Sequence, residues 1–327
     1  MSWQELKKNI LWPNFVFMTT LHVLFLYYAI IFPYLQCKIL LAWVLVTLVL
    51  AEFGVTAGVH RLWSHRSYKA KLPLRIILAV LYHSAAQNSI VSWVRDHRVH
   101  HKYADTPADP HDSSRGLWFS HVGWLVMKEH PEVSQRRAEV NMSDVLADPV
   151  VRFFEKYHVP LKILFAFVIP ISVPVYFFNQ SFKWSLISQF LIRYPLNLNI
   201  TWTINSFAHK FGYRSYDKNI KSADNFWTDF LTGGEGVHNY HHVFPWDYKA
   251  SEWKSLFSNT TTWIDMFAKI GWAYDLKRVS PEYIKLVVQR RGYNIEKKLC
   301  ALNVKLVLER CWFCIGGNYS PMAAEHL

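Results

Sequence analysis

Three clusters of histidine carry the chemistry in this sequence. In Asp96-His97-Arg98-Val99-His100-His101 the imidazoles fall at i, i+3 and i+4, which puts them on one face of a helix. The same H-x-x-H-H spacing returns at His238, His241 and His242, within Gly236-Val237-His238-Asn239-Tyr240-His241-His242. A further pair, His60 and His65, lies in His60-Arg61-Leu62-Trp63-Ser64-His65, and His209 stands one helical turn after Asn205. A single histidine on a helix usually reports packing. Clusters with a repeated spacing point instead to a metal centre, and nine imidazoles are too many for one ion and enough for two. Imidazole suits zinc, copper, iron and nickel alike, so the ligand type leaves the metal open. The Asn205 amide is placed to hold a metal-bound water. His60 and His65 would sit roughly 140° apart on a regular helix. Either a helix ends between them, or they serve different ions.

The elements that must position these residues are apolar. Phe15 to Phe32 is almost uninterrupted and is stopped by Pro33, and Ile39 to Gly58 contains a single charge, Glu52. Pro160 to Phe178 and Trp184 to Ile204 form a second pair, the latter containing Arg193. A hydrocarbon core of ~30 Å needs ~20 helical residues, so 15–32, 39–58, 160–178 and 184–204 all read as spans. The links Pro33-Tyr34-Leu35-Gln36-Cys37-Lys38 and 179–183 leave room only for tight turns. The expected fold is therefore all-α and integral to the membrane: four transmembrane helices in two hairpins, with a histidine-rich helical cap from 59–159 and 205–327. Residues 1–327 read as a single domain. Pro73 to Ala86 is a shorter apolar helix, with a proline in its first turn, lying in the membrane interface or under the cap. Asp105-Thr106-Pro107-Ala108-Asp109-Pro110-His111-Asp112 reads as a loop.

Basic residues give the orientation. Segment 59–159 holds fourteen Lys and Arg and 205–327 holds sixteen, against Lys38 and Lys183 in the hairpin links. The positive-inside rule puts both large segments and both termini in the cytosol, so all three histidine clusters share one face. The chain of 327 residues is 51% hydrophobic and 17% aromatic, with a formal charge of +12. That pairing fits a membrane protein with a basic face, and no nucleic-acid motif accompanies the charge. Cys37, Cys300, Cys311 and Cys314 are too irregular for a disulfide framework, and Cys311-Trp312-Phe313-Cys314 has no second pair to complete a zinc site. The first apolar run is long enough to span and lacks a cleavage motif, so it does not read as a signal peptide.

The residues around the histidines resemble a known family. Gly54-Val55-Thr56-Ala57-Gly58-Val59-His60-Arg61-Leu62-Trp63-Ser64-His65-Arg66-Ser67-Tyr68-Lys69-Ala70, Asp96 to His101, Asn205-Ser206-Phe207-Ala208-His209 and His238 to His242 look like the membrane acyl-CoA desaturases of the animal stearoyl-CoA Δ9 type. The likeness runs from about Asn14 to Tyr274. It implies a diiron centre that uses O₂ to remove two hydrogens from adjacent methylenes of a fatty acyl-CoA, giving a cis double bond. His60, His65, His97, His100, His101, His209, His238, His241 and His242 would be the ligands and Asn205 would act through water. Breaking an unactivated C–H bond needs a redox-active metal, which excludes zinc for that reaction.

The resemblance also implies that Asn88, Arg95, Asp96, Lys128 and Trp202, with Asn14, contact the acyl-CoA. Where the family carries a basic pair, Lys128 is followed here by Glu129, which should weaken phosphate binding. Glu52 and Leu48 fall toward the methyl end of the acyl path, and Glu52 replaces a small apolar residue of the family pattern. A charged residue at that depth is a functional hypothesis by default, here a shortened acyl path, with a carboxyl hydrogen-bonded to a neighbouring helix as the bland alternative. Electrons would come from cytochrome b5 and its NADH-dependent reductase. No His-Pro-Gly-Gly motif for a fused haem domain is present, His130-Pro131-Glu132-Val133 being the nearest. An acidic cytochrome suits the basic cap, and Arg290-Arg291 and Lys297-Lys298 could contribute. The implied location is the endoplasmic reticulum membrane. Rival readings are a diiron lipid hydroxylase, a zinc-dependent membrane lipid hydrolase, and a transporter or metal store, the last disfavoured because only Glu52 and Arg193 are charged within the spans.

Overall fold

The computed structural model describes residues 3–252 and 257–292; Cys300, Cys311, Cys314 and Lys297-Lys298 lie outside the described residues. The described chain is mostly helical; its strand structure is one short antiparallel pairing, Lys69–Ala70 against Ala273–Tyr274, with a few isolated bridges. Trp12–Ile31, Lys38–Ser64 and His158–Phe178 are long and apolar enough to cross a membrane. Their outer faces leave Val23, Leu26, Ile30, Leu45, Val46, Tyr176 and Phe177 exposed, a cost in water that lipid removes.

A fourth long helix runs through 182–206, over the stretch expected to span. It is less apolar than the other three because Ser185, Gln189, Arg193, Asn197 and Thr201 recur every fourth residue, making one polar stripe. All five are buried, so the stripe faces protein. The Thr47 hydroxyl donates to Gln189 at 3.2 Å, and Arg193 donates to the carbonyls of Ser84 at 2.9 Å and Ala166 at 2.7 Å.

The short apolar helix forms at Leu72–Ser84 and buries Leu74, Leu78, Ala79 and Tyr82. It packs beneath the cap against Lys38–Ser64, and the contact depends on Gly54: a Cβ there would lie 2.2 Å from the Tyr82 amide nitrogen. Its C-terminal carbonyls lack partners within the helix, and Arg193 with Asn197, at 3.4 Å from the Ala85 carbonyl, supplies them.

One expectation needs correction. The helix carrying His60 and His65 neither ends between them nor sends them to different sites. From Gly54 to Ser64 it widens into a π-helix, and the His65 amide bonds the His60 carbonyl at 3.1 Å. An i→i+5 ladder brings residues five apart onto one face, so both imidazoles point the same way. The remaining histidines come from Ile90–Tyr103, capped by the Ser89 hydroxyl, from the turn after Ser206, and from His238–Val243.

Candidate metal centre

The nine histidines converge as two groups. His60, His65, His97, His101 and His241 form one, and His100, His209, His238 and His242 the other; within each, the candidate ligand atoms lie within 4.8 Å of one another. Nε2 meets Nε2 at 2.9 Å for His60 and His241, 2.8 Å for His65 and His97, and 3.0 Å for His101 and His241. In the second group His238 Nε2 lies 3.0 Å from both His209 and His242. Helix Ile90–Tyr103 feeds both groups, and so does His238–Val243, which fixes one group beside the other.

Carboxylates orient the rings from behind. Glu235 lies 3.1 Å from His60 Nδ1, Asp109 lies 2.9 Å from His100 Nδ1, and Asp105 lies 3.2 Å from His209 Nδ1. Each bond assigns the proton to Nδ1 and leaves Nε2 with its lone pair facing inward. Opposed lone pairs at about 3 Å repel unless a cation lies among them, so this donor set fits two metal ions and explains the geometry. Burial, then the neighbouring imidazoles, hold His65, His97, His101, His238, His241 and His242 well below the usual histidine range. They are therefore neutral, as ligands must be. For His100 burial acts the same way, but Asp109 overrides it and raises the group.

The carboxylates were not singled out from sequence. Asp105 and Asp109 sit in the 105–112 loop, and Glu235 lies three residues before His238 in Gly233-Gly234-Glu235-Gly236. Asp109 is locked in turn by the amides of Asp105 and His111, at 2.8 and 2.9 Å. His111 joins His100 and Asp109 in a third grouping; its Nδ1 has no hydrogen-bond partner among the described residues, and burial pushes it down to about 3. Trp93, also missed, stacks on His97 with ring centroids 4.9 Å apart. Its indole donates to Gln87 at 2.9 Å, Gln87 to Thr201 at 3.0 Å, and Thr201 to Glu52 at 3.4 Å. A partly buried polar chain thus runs from the indole beside the metal groups toward Glu52, Thr201 also donating to the Asn197 carbonyl at 3.1 Å. Leu48 lies one turn before Glu52 and is buried.

The sequence model of the fatty acid desaturase family matches residues 37–254. The stearoyl-CoA desaturase of Bos taurus is 46% identical over 287 residues, 88% of this chain and 79% of that protein. The chain belongs to the fatty acid desaturase family. An acyl-CoA Delta(11) desaturase of Spodoptera littoralis is 52% identical over 247 residues, 75% of this chain and 72% of that protein. A second Bos taurus relative, stearoyl-CoA desaturase 5, is 46% identical over 286 residues, 88% of this chain and 85% of that protein. The chain is accordingly an oxidoreductase of lipid metabolism and a membrane protein.

The other expected site residues of this desaturase are spread more widely. Asn205 is half-buried and makes no side-chain hydrogen bond among the described residues. Asn88 is exposed in the turn before Ile90–Tyr103, where its carbonyl accepts from Tyr82 at 2.5 Å. Arg95 is half-buried, its Nε without a partner among the described residues. Asp96 is buried and held by Arg137, whose Nη2 is 3.0 Å away. Arg137 also grips Glu129, so that carboxylate turns toward Arg137 while Lys128 stays exposed. Asn14 donates to the Leu125 carbonyl at 2.8 Å, beside the bridge of Ile10 with Met127. Trp202 is buried between His22 and His121, with centroids 6.0 and 5.7 Å away.

Proposed function

We propose that this chain is an O₂-dependent fatty acyl-CoA desaturase that forms a cis double bond at the Δ9 position. The observation that carries the reading is the pair of imidazole groups, five and four strong, converging at the ends of apolar helices. Two irons bound there would supply the two-electron oxidation of a methylene pair with O₂. His60, His65, His97, His101 and His241 would hold one iron, and His100, His209, His238 and His242 the other, with Asn205 completing the second through water. Glu235, Asp109 and Asp105 hold the proton of their rings at Nδ1 and keep each Nε2 turned inward. Trp93, stacked on His97, walls the site and positions the acyl chain.

Asn88, Arg95, Asp96 and Lys128, with Asn14 and Trp202, are proposed to contact the acyl-CoA, Arg137 serving to orient Asp96. Glu52 and Leu48 are proposed to close the far end of the acyl path, Glu52 being held by Thr201. Helix 182–206 completes four spans, with both termini and the cap in the cytosol at the endoplasmic reticulum. Electrons are proposed to arrive from cytochrome b5 and its NADH-dependent reductase, docking on the basic cap. Expression in a desaturase-deficient cell, with the double bonds of its lipids mapped by mass spectrometry, tests the reading. A new Δ9 bond supports it. An alcohol in place of an alkene would make the chain a hydroxylase.

A further inference from the structure

The cap helix Phe226–Thr232 is built inside out. Phe226, Trp227, Phe230 and Leu231 recur at i, i+1, i+4 and i+5, one helical face, and are 61%, 68%, 52% and 43% exposed. The opposite face, Thr228, Asp229 and Thr232, is 1%, 8% and 2% exposed. A surface helix in water shows the reverse arrangement. Rolling the helix to hide its rings is blocked by what the polar face holds. The Asp229 carboxylate accepts from the Gly236 amide and the Thr232 hydroxyl from the Glu235 amide, each at 3.1 Å. Asn225, whose side chain caps the helix, also donates to the Phe211 carbonyl at 3.0 Å. The apolar face is therefore fixed outward by contacts to the loop that carries Glu235. Phe211 and Tyr213 add two more exposed rings beside the helix start, Tyr213 bridging to Asp224 and Phe207 packing on Phe211 at 5.7 Å.

We propose that this face is a membrane anchor of the cap, lying in the bilayer interface with its four apolar side chains against the lipid chains. The neighbouring span sets the depth. Phe230 and Leu231 border the same groove as Val49, which lies ~16 Å along Lys38–Ser64 from Lys38, in the link at the far face. A hydrocarbon core is ~30 Å thick, so Val49 sits inside it, together with Leu45 and Val46, exposed on the same helix. Lipid that covers these three continues onto Leu231 and Phe230. A water-soluble protein could not reach the helix at that depth. The residue types agree, because aromatic rings gather where hydrocarbon meets head groups. Lys210 is exposed beside Phe211, its Nζ 6.0 Å from that ring. Its stem can lie along the apolar surface while its charge stays among lipid phosphates.

The test uses the holoenzyme in phospholipid nanodiscs, with a nitroxide attached to p-acetylphenylalanine introduced at position 227. Power-saturation electron paramagnetic resonance reads its collisions with O₂, which concentrates in lipid, and with a water-soluble nickel chelate. The same label in place of Leu26, exposed on the first span, and of Glu132, exposed on the cap, gives the lipid and water references. The anchor predicts an O₂ rate at 227 close to the lipid reference and a nickel rate about ten-fold below the water reference. Phe226→Asp with Phe230→Asp, both at exposed positions, should return 227 to the water values, while helix content and thermal midpoint in detergent stay unchanged. A nickel rate at 227 equal to the water reference would overturn the proposal. Low rates for both reagents would overturn it too, since protein, a second copy or another part of this chain, would then cover the face. So would a lipid-like 227 that the two aspartates leave unaltered, because the apolar face would not be what seats the helix. Collisions are read without turnover, so a failed desaturase assay leaves this test intact.

Discussion

Glu235 joins His60 to the protein from behind: its Oε2 lies 3.1 Å from His60 Nδ1, while its Oε1 takes Arg61 Nη2 at 2.5 Å. Both partners sit on the π-helical stretch that aligns His60 with His65. One carboxylate therefore orients a candidate ligand and neutralises a fully buried guanidinium. Glu235→Gln removes the charge and keeps the size. Loss of an outer partner of this kind costs ~10–100-fold in metal affinity, so iron retention against a graded chelator should fall by that order. Unchanged retention would mean that Glu235 serves only Arg61.

Arg193 is the structural counterpart on the fourth long helix. Its guanidinium holds the last carbonyl of Leu72–Ser84 and the Ala166 carbonyl freed where His158–Phe178 widens. Arg193→Leu would leave both acceptors unpaired in a dry interior at ~1–3 kcal/mol each. A clear drop in the thermal midpoint in detergent is expected, with partial recovery in Arg193→Lys.

Gly54→Ala is the sharpest packing test. The new methyl would sit 2.2 Å from the Tyr82 nitrogen and 2.3 Å from the Leu81 carbonyl carbon. Backbone cannot yield as a side chain can, so Leu72–Ser84 must move away. Overpacking of this kind costs ~1–3 kcal/mol or more. Lower yield of folded protein is expected, with faster proteolysis between Ser67 and Asn88.

Glu129 spends its charge on Arg137, which also holds Asp96. Glu129→Lys adds a cation beside Lys128 where a phosphate-bearing head group is proposed to dock. The KM for acyl-CoA should fall a few-fold at low salt, and the gain should fade as salt rises. A KM unmoved at low salt would place the head group elsewhere.

If Glu52 closes the acyl path, Glu52→Ala opens it. Product profiles from mixed acyl-CoA substrates should shift toward longer chains. An unchanged profile would mean that Glu52 does not reach the acyl chain.

The sequence made the histidines and the apolar helices legible because each obeys a period: i, i+3, i+4 for the ligands, and sustained hydropathy for the spans. Their division into five and four was not legible, since it depends on which helices lie side by side. The π-helix at Gly54–Ser64 was missed for a physical reason. An ordinary helical wheel assumes i→i+4 bonding, and only tertiary contacts, Gly54 against Tyr82 among them, reveal the wider ladder. Asp109, Asp105 and Glu235 read as loop residues because their partners lie nine, 104 and 174 or more positions away in the chain. Hydropathy alone makes 184–204 an apolar span. Its every-fourth polar stripe is plain in retrospect, and its meaning, carbonyls to be capped on neighbouring helices, is not.

The central claim is that these residues remove two hydrogens from a saturated acyl-CoA. The most direct measurement supplies the purified, iron-loaded protein with stearoyl-CoA, O₂, NADH, cytochrome b5 and its reductase, and locates any double bond by mass spectrometry. The account predicts a cis bond between carbons 9 and 10, formed only when reductant and O₂ are both present. No unsaturated product, with two irons bound and cytochrome b5 reduced, would contradict it.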